Sequence, residues 1–114
     1  FNGVLTALST LQIPFHKISI GSGIGCSGRF PAFVKSFGFH GVHGRALPLS
    51  TGMKANPGLT VLTVGGDGDA FSIGGGHIAH AARRNVDLTY IVMDNEIYGL
   101  TKGQPSPTSP LGLV

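Results

Sequence analysis

The stretch Leu59-Thr-Val-Leu-Thr-Val64 constrains this 114-residue chain more than any other. A β-branched run of that length reads as a strand buried on both faces, the pattern of a parallel sheet. It feeds straight into Gly65-Gly-Asp-Gly68, after which Ile73, His77, Ile78 and Ala81 mark one helical face through about Arg84. A second buried strand is expected at Leu88-Thr-Tyr-Ile-Val-Met93. Strand, loop, helix and strand within 59–93 make a βαβ unit, which needs a parallel sheet and a right-handed crossover. The expected fold class is therefore α/β, a parallel sheet with flanking helices.

The first half of the chain extends this pattern. Val4, Leu5, Leu8 and Leu11 recur at helical spacing, and Pro14 ends that segment. Phe15 to Ile20 alternates like a half-buried strand and runs into the glycine-rich turn Gly21–Gly28. A short helical turn is expected within Ala32–Ser36, an aromatic loop over Phe37–His43, and a helix within Gly44–Asn56, limited by Pro48 and closed by Pro57-Gly58. Thr101 to Pro110 reads as a polar, proline-rich tail. In parallel sheets the functional loops gather at the carboxyl ends of the strands. Gly21–Gly28, Gly65–Gly68 and Asp94–Tyr98 each follow an expected strand, so they should share one rim.

Composition removes several classes of function. Hydrophobic residues at 41% against 11% charged exclude a disordered, charged tail. The net charge of +3 is scattered apart from Arg83-Arg84, too thin for a nucleic-acid footprint and better suited to a small phosphorylated ligand. No apolar run approaches the roughly 20 residues of a membrane span, and no signal peptide opens the chain, so a cytoplasmic protein is expected. With Cys26 as the one cysteine, no internal disulfide can form. The length suits one domain. Starting at Phe1 and ending Leu-Gly-Leu-Val114, the chain reads as the interior of a longer protein.

Asp67, between two glycines after a buried strand, is open to two readings. It is either a turn residue or a ligand of a divalent cation that bridges protein and diphosphate, with glycines that permit positive φ and let backbone N–H groups approach phosphate. Asn95, ending the next strand, could reach the same ion, and a nearby carbonyl such as that of Ile97 could supply a third oxygen. Gly23-x-Gly25-x-x-Gly28 matches a dinucleotide string, but Arg29-Phe30-Pro31 opens no long helix behind it. His77 and His80 lie on one helical face without a third ligand, and packing or capping explains them more simply. Arg83-Arg84 complements a helix C-terminus. Arg29 offers a bidentate fork for a substrate carboxylate, and Leu100 and Lys102 could line the same pocket.

Gly66-Asp67-Gly68, then 25 residues, then Asp94-Asn95 resembles the thiamine-diphosphate motif. The longer strings Gly65–Gly74, Ala82–Asn85, Asp94–Gln104, Gly23–Arg29 and His43-Gly-Arg45 are similar to the β subunit of 2-oxoacid:ferredoxin oxidoreductases. That resemblance implies a thiamine-diphosphate-binding fold and Mg2+ held by Asp67, Asn95 and the Ile97 carbonyl. It implies that Gly66, Gly68, Asp69, Tyr98, Gly99, Leu100 and Thr101 border the diphosphate, and that His43 lies against the cofactor. Cys26 matches the third cysteine of a [4Fe–4S] cluster whose first two cysteines stand in an upstream C-P-x-C-G string and whose fourth lies downstream. One thiolate of the four required cannot hold a cubane. Residues 1–114 are thus expected to be a thiamine-diphosphate domain lacking its N-terminal Cys-x-x-Cys segment and its C-terminal part, inactive by itself.

The implied reaction is oxidative decarboxylation of a 2-oxoacid to an acyl-coenzyme A with reduction of ferredoxin. Arg29 leans toward 2-oxoglutarate, with pyruvate as the rival. The resemblance implies that an α subunit supplies the glutamate that activates the aminopyrimidine; Glu96 sits in the Mg2+ loop and does not match it. Two other classes stay open: a non-oxidative thiamine-diphosphate lyase or synthase, and an inactive cofactor-binding remnant.

Overall fold

The computed structural model describes residues 1–113. Helix α1 (Asn2–Thr10) leads through a 3-10 turn to strand β1 (Ile18–Ser22), a 3-10 segment (Ser27–Phe33), strand β2 (Phe37–His40) and helix α2 (Ala46–Met53). Strand β3 (Thr60–Gly66), a π-helical turn (Gly68–Ile73), helix α3 (Gly75–Arg83) and strand β4 (Thr89–Met93) complete the βαβ unit read from the sequence. A small hairpin of β5 (Ile97–Tyr98) and β6 (Gln104–Pro105) follows.

The sheet runs β2-β1-β3-β4, all parallel, with Ser22 beside Val64 and Gly66 beside Met93. This order reverses between β1 and β3. The chain leaves β1 toward β2 on one side and leaves β3 toward β4 on the other, which opens a crevice above the carboxyl ends of the two central strands.

Both faces of β1 are covered. Ile18 and Ile20 pack with Phe30, Leu62 and Val64, and Val4, Leu8, Ile13, Val34 and Met93 close over that cluster. Ile20 and Val64 are fully buried, and each such side chain contributes about 1.5–3 kcal/mol by leaving water. On the opposite face Ser19 donates to Met53 Sδ at 3.2 Å. A Cβ at Gly21 would collide with the Ser50 hydroxyl, so glycine there lets α2 lie close to the sheet.

Several local expectations need correction. Phe15–Lys17 is a 3-10 turn closed by the Lys17 N–H on the Pro14 carbonyl, and the strand begins at Ile18. It runs on through Gly21 and Ser22 because parallel partners on both sides complete its hydrogen bonds. The expected helical turn lies earlier, at Ser27–Phe33, with Val34 already extended. Phe37–His40 is a strand rather than loop, an exposed edge admitted by Gly38, whose Cβ would fall 2.8 Å from Pro31. β3 extends through Gly66, two residues beyond Val64. β4 is an edge strand and only half-buried. Pro48 stands inside the first turn of α2, where its missing N–H has no partner to lose. The proline-rich tail is not a passive exit. Gln104–Pro105 pairs back on Ile97–Tyr98 and carries the following residues onto the rim.

Candidate functional site

The three loops expected at one rim do meet there. Ile24, beyond β1, donates its N–H to Asp69 Oδ1 at 2.9 Å, and Asn95, beyond β4, points its N–H at Asp67 Oδ1 across 3.5 Å. Around them lies a cavity of about 270 Å³. Its wall contains Cys26 from the loop after β1, His43 from the loop after β2, Gly66–Asp69 at the end of β3, and Asn95 and Ile97–Thr101 after β4. The residues singled out from the sequence as cofactor neighbours therefore surround one space. Of the three candidates for a substrate pocket, Leu100 lines it, whereas Arg29 and Lys102 do not.

Asp67 is 1% exposed. Burial pushes its carboxyl up, but hydrogen bonds from Ser106, Thr108 and the Asn95 backbone more than offset this and hold it below the ordinary aspartate value. It is an anion at neutral pH. The Asn95 amide oxygen stands 3.0 Å from Asp67 Oδ1 and 2.7 Å from the Ile97 carbonyl. Three acceptor oxygens this close repel one another unless something positive lies among them. Turning the amide so that its nitrogen donates to both is one remedy. A divalent cation is the other: adjacent oxygens of an octahedral Mg2+ at 2.0–2.1 Å stand about 2.9 Å apart. The donor set of a carboxylate, an amide and a carbonyl is the hard-oxygen chemistry Mg2+ takes. Among the described residues no three His, Cys, Asp or Glu gather at a metal-binding distance, His77 and His80 included.

The glycines around Asp67 act by close approach, not by positive φ. Gly65, Gly66 and Gly68 all keep negative or ordinary φ; the positive-φ glycines are Gly25, Gly44, Gly103 and Gly112. A Cβ on Gly68 would lie 2.6 Å from the Tyr98 ring, whose hydroxyl donates to the Gly68 carbonyl at 3.0 Å. Glu96, between Asn95 and Ile97, carries φ +60. That costly left-handed backbone in a non-glycine residue turns the chain sharply between two of the oxygens.

Asp69 lines the cavity and also ties its loops together. Its Oδ1 accepts from Ile24 N–H, Gly44 N–H at 2.8 Å and His43 Nδ1 at 2.7 Å, so one buried oxygen ties the loops after β1, β2 and β3. Accepting on the carboxylate requires the proton on His43 Nδ1, which leaves Nε2 as the ring nitrogen not engaged by Asp69. The His43 and Tyr98 rings meet edge to face, 6.0 Å between centroids. Cys26 is exposed at the cavity wall. As the one thiol of the chain it does not fit a four-thiolate cluster by itself.

Ile24, Gly25, Ser27 and Asp94 also line the wall, from loops the sequence placed at the rim without singling these residues out; Met93 and the 106–109 turn were missed altogether. Thr108 Oγ1 reaches Asp67 Oδ2 at 2.7 Å, and Ser109 donates to the Glu96 carbonyl. A Ser-Pro-Thr-Ser-Pro run, dense in side-chain donors, was the signal available, but nothing in the string says that it folds back on Asp67.

Residues 23–112 match the family model of the thiamine pyrophosphate enzyme, C-terminal TPP binding domain. The chain is 54% identical over 112 residues to the 2-oxoglutarate synthase subunit KorB of Methanothermobacter marburgensis, covering 97% of this chain and 39% of that protein. It is 50% identical over 110 residues to the β subunit of 2-oxoacid:ferredoxin oxidoreductase 2 of Aeropyrum pernix, covering 96% and 36%. Among solved structures, 2-oxoglutarate:ferredoxin oxidoreductase from Magnetococcus marinus, with 2-oxoglutarate, coenzyme A and succinyl-CoA bound, superposes with a TM-score of 0.94 at 58% identity. That match covers 95% of this chain and 38% of the other. The chain thus spans less than two fifths of the length of these relatives. No helix among the described residues is long and apolar enough to cross a membrane.

Proposed function

The chain belongs to the thiamine pyrophosphate enzyme family, in the branch of 2-oxoacid:ferredoxin oxidoreductase β subunits, and from that premise we propose that it holds the Mg2+–diphosphate end of thiamine diphosphate for oxidative decarboxylation of a 2-oxoacid. The observation that carries this reading is the Asn95 amide oxygen at the cavity wall, 3.0 Å from Asp67 Oδ1 and 2.7 Å from the Ile97 carbonyl. When bound, the cofactor supplies the nucleophilic carbon and the electron sink for loss of CO2.

The chain's own residues bind and orient. Asp67, Asn95 and the Ile97 carbonyl would hold Mg2+, which offsets the diphosphate charge in a site where burial makes that charge costly. Gly66, Gly68 and Gly99, without side chains, would let the backbone come close to the phosphates, with Tyr98, Leu100 and Thr101 forming the lip. Asp69 holds His43 in one tautomer, so that Nε2 is the single ring nitrogen able to accept a proton or hydrogen bond from a bound molecule. Glu96, the one glutamate, is exposed and has its backbone committed between two cation ligands. The family resemblance assigns the glutamate that activates the aminopyrimidine to an α subunit. Coenzyme A would take the acyl group and ferredoxin the electrons in a cytoplasmic complex, with Cys26 contributing one cluster ligand in company with cysteines outside these 114 residues. The names of the relatives support 2-oxoglutarate over pyruvate as the substrate.

The test is thiamine diphosphate binding by the assembled enzyme in Mg2+ and after chelation, in native protein and in Asp67→Asn. Chelation or the substitution is expected to weaken binding by more than about 100-fold, beyond the usual cost of losing an outer partner of a metal site. Ferredoxin reduction should require coenzyme A and prefer 2-oxoglutarate to pyruvate. Binding that ignores both Mg2+ and Asp67 would overturn the cation site, and turnover without ferredoxin would favour the non-oxidative class.

A further inference from the structure

The two carboxylate oxygens of Asp67 have different neighbours. Oδ1 faces Asn95, and Oδ2 receives the Thr108 hydroxyl at 2.7 Å. Thr108 Oγ1 also lies 2.8 Å from Asp94 Oδ1. A threonine hydroxyl has one proton, so it serves one of the two carboxylates. Asp94 is exposed, and its Oδ1 already accepts the Glu96 N–H at 2.9 Å, so water meets its remaining need. Asp67 is buried and has no such recourse, which gives the proton to Asp67.

Thr108 is itself held in place. Ser106 Oγ lies 3.1 Å from Thr108 Oγ1 and packs it against the carboxylate. Ser109 Oγ accepts the Ser106 N–H at 2.8 Å and donates to the carbonyl of Glu96, the left-handed residue between Asn95 and Ile97. The 106–109 turn thus grips the cation loop at two points, neither of which is an oxygen of the cluster itself.

Resting on the cation site proposed above, we propose that Thr108 is a positioning residue of that site: its hydroxyl fixes Oδ2 of Asp67 and thereby aims Oδ1 at the ion. The hairpin β5–β6 delivers it, so cation affinity depends on a turn 41 residues downstream of the aspartate. Thr108 donates no oxygen to the ion. It removes the rotational freedom of the carboxylate that does, as outer partners of metal ligands generally do.

Mn2+ in place of Mg2+ gives a readout independent of turnover. The electron paramagnetic resonance signal of free Mn2+, titrated against the assembled enzyme with thiamine diphosphate present, reports affinity directly. Thr108→Val is expected to weaken Mn2+ binding about 10–100-fold, Thr108→Ala to match it, and Thr108→Ser to stay within about threefold of native. The alanine variant carries the test if valine disturbs folding, which circular dichroism would reveal. Native affinity in both valine and alanine variants, or equal loss in the serine variant, would overturn the role of the hydroxyl. Native enzyme that binds no Mn2+ would overturn the cation site and this inference with it. Tight native binding with an indifferent Thr108 would overturn this inference alone.

Discussion

Asp69→Asn separates the two buried aspartates of the rim most directly. Asp69 is 3% exposed, and its Oδ1 accepts three donors, the Ile24 and Gly44 N–H groups and His43 Nδ1. A hydrogen bond to a charged group is worth about 1.5–3 kcal/mol and one between neutral groups about 0.5–1.5. Neutralising the acceptor while keeping its oxygen therefore costs about 1 kcal/mol per bond, or about 3 kcal/mol over the three. The new amide nitrogen adds to this, because it replaces Oδ2, which is buried with no partner, and would find no acceptor either. About 3 kcal/mol is about a hundredfold in an opening equilibrium. Hydrogen exchange read by mass spectrometry on the assembled enzyme localises that opening. Peptides over 20–30 and 40–47 should exchange about a hundredfold faster in the variant, while one over 52–60, away from Asp69, keeps its native rate. Unchanged protection over both rim peptides would refute the idea that one charged oxygen ties the loops.

Two further perturbations probe neighbouring contacts. Gly68→Ala places a Cβ 2.6 Å from the Tyr98 ring, and overpacking of that kind costs about 1–3 kcal/mol. Thermal melting should show the loss, and adding Tyr98→Ala should recover most of it; additive losses would refute the clash. Tyr90 is half-buried, and burial first, then the charge of Asp69, pushes its phenol up to about 12. The unfolded phenol ionises near 10, so above that pH the unfolded chain binds fewer protons than the folded one and stability falls as pH rises toward 12. Denaturant unfolding between those values should show the decline in native protein and a shallower one in Tyr90→Phe; identical slopes would remove Tyr90 as the cause.

The parallel sheet was legible because its signal is local and redundant. Leu59–Val64 and Leu88–Met93 are β-branched runs separated by a helical face, and only a crossover joins such strands in one sheet. What the sequence concealed lies where neighbours decide. Phe37–His40 has exposed aromatics at every second position and glycine inside, a poor strand by itself, yet it pairs because β1 offers a free edge. Phe15–Lys17 alternates correctly and still curls, since Pro14 starts a turn that closes one residue before pairing begins. Alternation reports which face a residue would take, not whether a partner strand reaches it.

The site divides in the same way, and the two aspartates show why. Read as a string, Asp67 and Asp69 are equivalent acids among glycines, and the family resemblance puts both beside the diphosphate. The backbone separates them. Asp67 leaves the strand with φ −58 and ψ −45, entering a π-helical turn in which Gly74 N–H reaches back to the Asp69 carbonyl at 3.1 Å. That wide turn sets successive side chains on different sides of the strand end. Asp67 faces β4, where Asn95 and the returning Thr108 meet it. Asp69 faces β1, where Ile24, His43 and Gly44 meet it. The crevice of a sheet whose order reverses between its two central strands needs both jobs done within three residues. One carboxylate meets the loops after β4, and the other holds the crevice walls at their spacing. Spending Asp69 on backbone N–H groups fixes the frame against which Asp67 is aimed.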